Sequence, residues 1–441
     1  MAASDTSALG AEEYDLTSRI SPFLDRHLIV RIFPFLQQSQ MYNTGDIQRA
    51  EIALLSDTNM IDFAAEKYKE LDEEPPQSLN TRREAVIAEL AEYRDRALPF
   101  LQLLEDEEKV KRLSTFKSIE ELCMENELES DAIDVLVRYA KLQYDCGNYQ
   151  FSSEVLKHVR SIMTNVGPEQ ISVQRHLSCI WGALASHLLN SEAEDAATVA
   201  LQLDEFLEGV KLSKREIMLQ RSWILHWALF AIYTPEKGDS KLLDFLLAEK
   251  NLIVIALTCP HLFRYVGASL ILHKRLKHLI KDTVKVVRQE ASSYSDPITR
   301  FLLALYSDMD FEQAQNELLL CKTTCMADYF LHRYWTEFEE NARLLIFETY
   351  CRIHQCINIG MIATKLNMQE QEAELWIVKL IQSAKLDARI DCERSRVVMS
   401  KAPPNVYQQV IDKTKNLSFR STMLLSNLEK AEREATAAGA A

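Results

Sequence analysis

Scarcity of glycine is the feature that most constrains what this chain can fold into. The 441 residues include 10 glycines, roughly a third of the average frequency, and no two of them lie within a few positions of each other. Phosphate-binding loops need closely spaced glycines, because backbone N–H groups must approach the phosphate oxygens. Walker-type loops, dinucleotide-binding loops and nucleophile elbows of the Gly-x-Ser-x-Gly type are therefore excluded.

Apolar periodicity identifies the fold class. Long stretches with a 3.6-residue period, together with few alternating runs, predict an all-α protein. Its length predicts about three units at the usual domain size. No transmembrane helix is expected, since no apolar run approaches the roughly 20 residues that span a bilayer. Nine cysteines without a regular spacing indicate reduced thiols, which favours a cytoplasmic location and leaves a nuclear one open.

The net charge of −15 disfavours the whole surface as a nucleic-acid platform. One predicted helix is basic although the chain as a whole is acidic, because Leu270 to Arg288 contains six basic residues and one acidic residue. The sequence favours a solvated basic face of a repeat helix here, and it leaves open a local contact with RNA or an acidic partner. The candidate contact residues are Lys274, Lys277, Lys281 and Lys285.

Catalytic and metal chemistry find little support. The histidines form neither a His-x-His nor a His-Glu-x-x-His pattern. Cys321 and Cys325 are one helical turn apart, with His332 further along, but buried thiols that pack as small apolar side chains explain them better than zinc does. We therefore expect no catalytic residue, metal or cofactor, and a cysteine- or metal-dependent hydrolase is a distant alternative.

The N-terminal third predicts helices with two boundaries. Residues 1–13 read as a disordered tail, and residues 14–72 as N-terminal helices that end at a Glu-Glu-Pro-Pro cluster. The predicted helices are Leu16 to Gln40, which is capped at Ser21-Pro22 and broken near Pro34, Asp46 to Leu55, and Met60 to Leu71. Residues 80–128 predict a charged helical connector, which is interrupted at Pro99.

Residues 131–335 predict a helical-repeat solenoid. The run from Tyr139 to Leu156, with Gly147-Asn148 at the turn, resembles a tetratricopeptide repeat, and Phe301 to Leu318 reads as a second copy. Stacked helical hairpins of this kind leave long lateral surfaces for other proteins. The helices predicted between the two copies are Ser172 to Leu189, Glu194 to Leu207, Lys214 to Ile232, Lys241 to Leu257 and His261 to Arg288.

Residues 338–401 predict a winged helix, which is three helices followed by a two-stranded wing. The short helix Ile359 to Leu366 and the third helix, Gln369 to Ala384, precede extended runs at Ala388 to Asp391 and Arg396 to Met399. The third helix has a predicted buried stripe of Trp376, Ile377, Leu380 and Ile381. Its outward residues are neutral or acidic, which argues against reading of a DNA groove. The edge of the wing suits pairing with another chain.

These elements resemble a PCI domain, the module shared by the proteasome lid, the COP9 signalosome and eukaryotic translation initiation factor 3. The resemblance rests on Ile362-Ala363 to Leu366-Asn367, Glu374-x-Trp376-Ile377 to Leu380-Ile381, and Leu386-x-Ala388-Arg389-Ile390-Asp391. Two longer segments, Leu16 to Leu28 and Trp335 to Ile357, resemble the family of the E subunit of initiation factor 3. A scaffold subunit of the proteasome lid or signalosome is the alternative within the same class.

The resemblance implies a non-catalytic scaffold that assembles with other PCI and MPN subunits, binds the small ribosomal subunit, supports mRNA recruitment and contacts no membrane. It implies a wing interface and a C-terminal helix, residues 405–435, that joins a bundle. The expected wing residues are Arg389, Arg394, Arg396, Val398 and Met399. The expected helix residues are Leu417, Met423, Leu424 and Leu428, which stay exposed unless partnered.

Overall fold

A computed structural model gives the fold of the chain. It describes residues 14–39, 41–71, 73–104, 106, 119–126, 128–129, 131–166, 172–233, 240–354, 356–360, 369, 371, 374–375, 377–378, 388–391, 396–399 and 406–438. These residues form two compact units, Met1–Ala342 and Arg343–Ala441. The expected disordered tail at residues 1–13 lies outside the described part.

The first unit is built from α-helices, the last of which continues past Ala342 into the second unit, so the all-α prediction is confirmed. They are α1 (Thr17–Ile20), α2 (Arg26–Val30), α3 (Phe33–Ser39), α4 (Thr44–Ser56), α5 (Ile61–Glu70), α6 (Gln77–Leu104), α7 (Ile119–Glu125), α8 (Ala132–Asp145), α9 (Tyr149–Val166), α10 (Val173–Leu189), α11 (Ala193–Gly209), α12 (Lys214–Ile232), α13 (Ser240–Leu246), α14 (Glu249–Thr258), α15 (Phe263–Leu272), α16 (Ile280–Gln289), α17 (Pro297–Leu303), α18 (Phe311–Met326) and α19 (Trp335–Ile353).

Both predicted repeat copies form helical hairpins. Helices α8 and α9 meet at Gly147, whose φ of 92° explains why glycine occupies this turn. In the second copy, α17 continues through a π-helical turn, Ala304–Asp308, before α18 begins. Met309 takes the left-handed conformation there, with a φ of 54°. The turn of the second copy therefore also uses a residue with a positive φ, but this residue is Met309 and not a glycine.

Local capping explains why the prediction for α12 coincides with its observed bounds, Lys214–Ile232. The Ser213 hydroxyl accepts a hydrogen bond from the Glu216 backbone N–H at 3.2 Å, and Ser213 N donates to the Glu216 carboxylate at 3.0 Å. Such a reciprocal pair satisfies two free N–H groups at a helix start. The C-terminal half of α12 is buried almost continuously and forms part of the repeat core.

Two predicted long helices are broken in the structure. The stretch Lys241 to Leu257 divides into α13 and α14, and His261 to Arg288 divides into α15, a 3-10 segment at Lys274–His278, and α16. The break at His273 takes an extended backbone conformation. Periodicity spans such breaks because the apolar residues on both sides, such as Leu272 and Leu276, face the same core.

The N-terminal prediction needs two corrections. Leu16 to Gln40 is not one helix broken near Pro34, since α1, a 3-10 turn at Ser21–Phe23, α2 and α3 follow one another, and Pro34 lies in the first turn of α3. Asp25 caps α2 through its carboxylate, which accepts the His27 backbone N–H at 3.2 Å. Pro99 does not interrupt α6, because buried Ala97 and Phe100 hold the helix on both sides of it.

The N-terminal segment packs along the repeats. Trp227 Nε1 donates to the Phe23 carbonyl at 2.9 Å, and the Phe23 ring stacks on His226 with centroids 4.1 Å apart. Asp25 accepts the Tyr144 hydroxyl at 2.7 Å. These contacts join residues more than 100 positions apart, so the segment is part of the folded unit.

The second unit contains a three-stranded antiparallel sheet and the helix α20 (Val406–Ala438). Strands β2 (Ala388–Asp391) and β3 (Arg396–Met399) lie at the predicted positions, and β1 (Cys356–Asn358) was not predicted. The sheet order is β1-β3-β2. Ile377 is buried, as expected for the third helix, whereas Trp376, Leu380 and Ile381 lie outside the described residues.

Candidate functional site

The wing is the first of the predicted assembly surfaces. Strand β3 pairs with β1 on one side, where Ile357 opposes Val397, and with β2 on the other, where Arg389 opposes Val398. Both backbone edges of β3 are therefore occupied, so it cannot add a strand from another chain. Strands β2 and β1 are the outer strands of the described sheet, so β2 is the edge of the wing, and its pairing with another chain stays a prediction.

The side chains of β3 alternate as in a half-buried strand. Val397 is buried, while Arg396 and Val398 are exposed. An arginine and a valine on one outward face can contact a partner through side chains. Arg394, and the side chains of Arg389 and Met399, lie outside the described part.

The C-terminal helix α20 presents an unusual amount of apolar surface. The four predicted residues Leu417, Met423, Leu424 and Leu428 are between 53% and 64% exposed. The helix begins one residue after the start of the predicted span, 405–435, and the prediction did not name the exposed apolar residues Tyr407, Val410 and Ile411 near that start. Val410, Leu417 and Leu424 repeat every seven residues, the spacing of a helix-packing seam. An exposed apolar seam of this length indicates a surface that is buried in an assembly.

The basic segment gives a mixed result. The Lys274 side chain lies outside the described part, and Lys277 is half-buried. Lys285 pairs with Asp282 at 2.7 Å. Lys281 is exposed on α16. The structure therefore brings together fewer free charges than the sequence suggested.

Four buried cysteines lie in environments that disfavour the thiolate. Cys321 and Cys325 are buried on α18, and burial raises the pKa of the Cys321 thiol well above its usual value. Burial also raises the pKa of Cys179 and of Cys259 to about 11. A thiol must ionise to attack or to bind a metal, so these environments oppose both.

His187, Glu192 and Asp195 are the one group of three metal-type ligands in the described part of the chain. Its His187 Nδ1 lies 2.6 Å from a Glu192 carboxylate oxygen. This bond closes the turn between α10 and α11, where Ser191 is left-handed. A helix-turn contact accounts for the geometry.

No described helix is both long enough and apolar enough to cross a bilayer.

Comparison with protein families gives the class of protein. The family model described as "PCI domain" matches residues 313–401, which include most of α18, all of α19 and the three-stranded sheet. Helical hairpins that lead into this module define a PCI-domain protein, the kind of subunit that the sequence indicated. Two further models match: "eIF3 subunit 6 N terminal domain" at residues 15–143, and the C-terminal model of the E subunit of eukaryotic translation initiation factor 3 at residues 405–425.

Relatives over nearly the whole length narrow the class. The chain is 37% identical to the E subunit of eukaryotic translation initiation factor 3 from Bombyx mori, over 95% of this chain and 96% of the relative. It is 37% identical to the Arabidopsis thaliana protein of the same name, over 96% and 99%, and 35% identical to that of Culex quinquefasciatus, over 97% and 98%. The chain belongs to the family of the E subunit of eukaryotic translation initiation factor 3, which confirms the resemblance and decides against the proteasome lid and the signalosome.

Proposed function

We propose that this chain is a non-catalytic scaffold subunit of the translation initiation factor 3 complex. It joins other PCI and MPN subunits, helps to hold the complex on the small ribosomal subunit, and supports mRNA recruitment in the cytoplasm; a nuclear pool is part of the same proposal. The exposed apolar seam of α20 is the observation that carries this proposal, since burial of such a seam needs a partner.

In this proposal the chain contacts its partners through two surfaces. The C-terminal helix, residues 405–435, packs into a helical bundle through Leu417, Met423, Leu424 and Leu428. The winged helix, residues 338–401, contacts a neighbouring PCI subunit through its wing, and the proposed contact residues are Arg389, Arg394, Arg396, Val398 and Met399. The other proposed divisions are N-terminal helices at 14–72, a connector at 80–128 and a solenoid at 131–335.

A charged substitution within the seam tests the bundle role. Leu424→Glu should leave the stability of the isolated chain unchanged, because Leu424 is already 63% exposed. In a reconstituted mixture of initiation factor subunits, recovery of the complex should fall by about tenfold, since burial of a charge in an apolar bundle costs more than about 1.4 kcal/mol.

Ser426→Glu is the matched control, because it adds the same charge two residues away at another exposed position. It should assemble as the original chain does. Equal recovery of both variants would rule out the seam as the bundle contact.

A local RNA contact at the basic segment is a second, separate proposal. Exposed Lys281 supports it most directly among the four lysines, and Lys274, Lys277 and Lys285 are secondary. Lys281→Glu should reduce crosslinking to ribosomal RNA, whereas reversal of the exposed Lys322 on α18 should not. Unchanged crosslinking and salt dependence in Lys281→Glu would favour the solvated basic face.

A further inference from the structure

A cavity of about 280 Å³ lies between α3, the C-terminal end of α12 and the segment that follows α18. Its walls include Arg31, Arg333 and His332 beside the rings of Phe35, Phe230 and Tyr329, and none of its lining residues is Asp or Glu. The chain as a whole has 65 acidic and 50 basic residues. A wall without acids in such a chain selects for a negatively charged ligand.

Arg31 is oriented without being neutralised. Its Nη1 donates to the Leu188 carbonyl at 2.6 Å, and its Nη2 donates to the Ser191 hydroxyl at 2.9 Å. Both acceptors are uncharged, so the positive charge stays available. A guanidinium has five N–H donors, which leaves further donors for a ligand.

Two neighbouring residues add to this basic wall. Arg333 is exposed and forms no ion pair with any described residue. The His332 Nδ1–H donates to the Tyr329 carbonyl at 2.8 Å, which leaves Nε2 free of this bond. The imidazole also lies against Phe35, with ring centroids 4.6 Å apart. Arg31 and Arg333 thus offer the planar donor groups that bind phosphate oxygens in pairs.

Aromatic rings form the rest of the cavity. Tyr329 is half-buried, and its centroid lies 5.7 Å from that of Phe35 and 5.9 Å from that of Phe230. Aromatic side chains together with guanidinium planes are the groups on which proteins stack unpaired bases. The volume is near the lower limit of about 300 Å³ for ligand pockets, so it suits one nucleotide.

We propose that this cavity binds a nucleoside phosphate, with the base against Tyr329 and Phe35 and the phosphate on Arg31 and Arg333. The ligand is either a free nucleotide or the terminal nucleotide of a single RNA strand. The site goes beyond the scaffold role, because assembly through the wing and α20 makes no use of it. A single-nucleotide site also agrees with the net charge of −15, which opposes an extended RNA track.

Calorimetric titration of the full chain tests the site. Adenosine 5′-monophosphate should bind, and adenosine and ribose 5-phosphate should each bind at least about tenfold more weakly, because each lacks one of the two recognised groups. Arg333→Gln should weaken binding of the monophosphate about tenfold. Because Arg333 is exposed, this substitution should not disturb folding. Arg215→Gln, an exposed arginine on α12, is the matched control and should bind normally.

Two further ligands distinguish an RNA end from a free nucleotide, and a nucleotide from a phosphorylated polypeptide. Tighter binding of 5′-phosphorylated hexa-adenylate assigns the site to an RNA end, and equal binding assigns it to a free nucleotide. Absence of binding at millimolar monophosphate, or equal affinity of Arg333→Gln and Arg215→Gln, would overturn the proposal. Tighter binding of O-phospho-L-tyrosine, lost in Arg333→Gln, would overturn it in favour of a phosphorylated polypeptide.

Discussion

Replacement of Arg264 by methionine should destabilise the first unit by about 3 kcal/mol. The Arg264 side chain is 1% exposed, and it lies between two carboxylates that are also buried. Its Nε donates to Asp296 at 2.8 Å, and its Nη1 donates to Asp328 at 3.1 Å. Methionine has a similar length and removes the charge, so two buried acids would face each other without a cation.

The expected loss of stability depends on how well the Asp296 and Asp328 carboxylates are satisfied once the Arg264 guanidinium is removed. Removal of one partner from a buried ion pair costs about 3–5 kcal/mol, because the other charge is left uncompensated. Here the carboxylates keep other donors, since Asp296 accepts the Thr299 backbone N–H at 2.8 Å and Asp328 accepts the Tyr265 hydroxyl at 2.8 Å. These bonds place the expected loss at the lower end of the range.

Urea unfolding followed by tryptophan fluorescence measures this loss. Trp181, Trp223, Trp227 and Trp335 all belong to the first unit, whereas Trp376 alone belongs to the second. The fluorescence signal therefore reports mainly on the unit that contains Arg264. Arg83→Met is the control, because it breaks a solvent-exposed pair with Asp62 and should leave stability almost unchanged.

A double substitution separates charge from packing. Arg264→Met combined with Asp328→Asn removes one of the two stranded charges, so it should be less damaging than the sum of the single changes. If Arg264→Met unfolds at the same urea concentration as Arg83→Met, the buried network does not stabilise the unit. If the double substitution is simply additive, lost packing explains the effect better than electrostatics does.

Two further predictions concern pH and backbone strain. Burial lowers the pKa of His226 to about 4 and of His261 to about 3, so the native pair stays neutral while unfolded histidines gain protons below about pH 6.5. Stability is fully present above that pH and should fall by about 3 kcal/mol for each histidine, or about 5–6 kcal/mol for the pair, between about pH 6.5 and 4. A flat urea midpoint over this window would contradict it. Gly147→Ala should cost about 1 kcal/mol through its positive φ, whereas Gly209→Ala, with no neighbour within 4 Å, should not lower the melting temperature.

Local signals made the repeats predictable. The capping pair at Ser213 and Glu216 and the Gly147-Asn148 turn are each written within a few residues, so the bounds of α12 and the first hairpin follow from sequence. Strand β1 was missed because three residues, Cys356–Asn358, are too few to show alternation. Its pairing with β3 is decided by residues about 40 positions away, which no local pattern records.

The candidate sites also differ in whether local sequence could predict them. The apolar face of α20 was predictable, because leucines repeated on one side of a helix indicate a packing surface without any knowledge of the rest of the fold. The Arg31 cavity was not, because it joins α3 to Tyr329 and Arg333, residues about 300 positions further along the chain. For the basic segment, sequence counts the charges and the i,i+3 spacing suggests the pair of Lys285 with Asp282, but it does not show that Lys277 is half-buried.

Long-range packing of the N-terminal segment changes what kind of repeat protein this is. In a simple solenoid each hairpin contacts its neighbours, so stability is a sum of local terms. Here Arg31 donates to the Leu188 carbonyl, Trp227 donates to that of Phe23, and Arg264 donates to that of Tyr14 at 2.7 Å. One short segment thus bonds to α10, α12 and α15, which lie far apart in sequence. A contact of this kind couples separate hairpins, because loosening of the segment removes hydrogen bonds from all three at once, so the first unit should unfold more cooperatively than its repeats alone would.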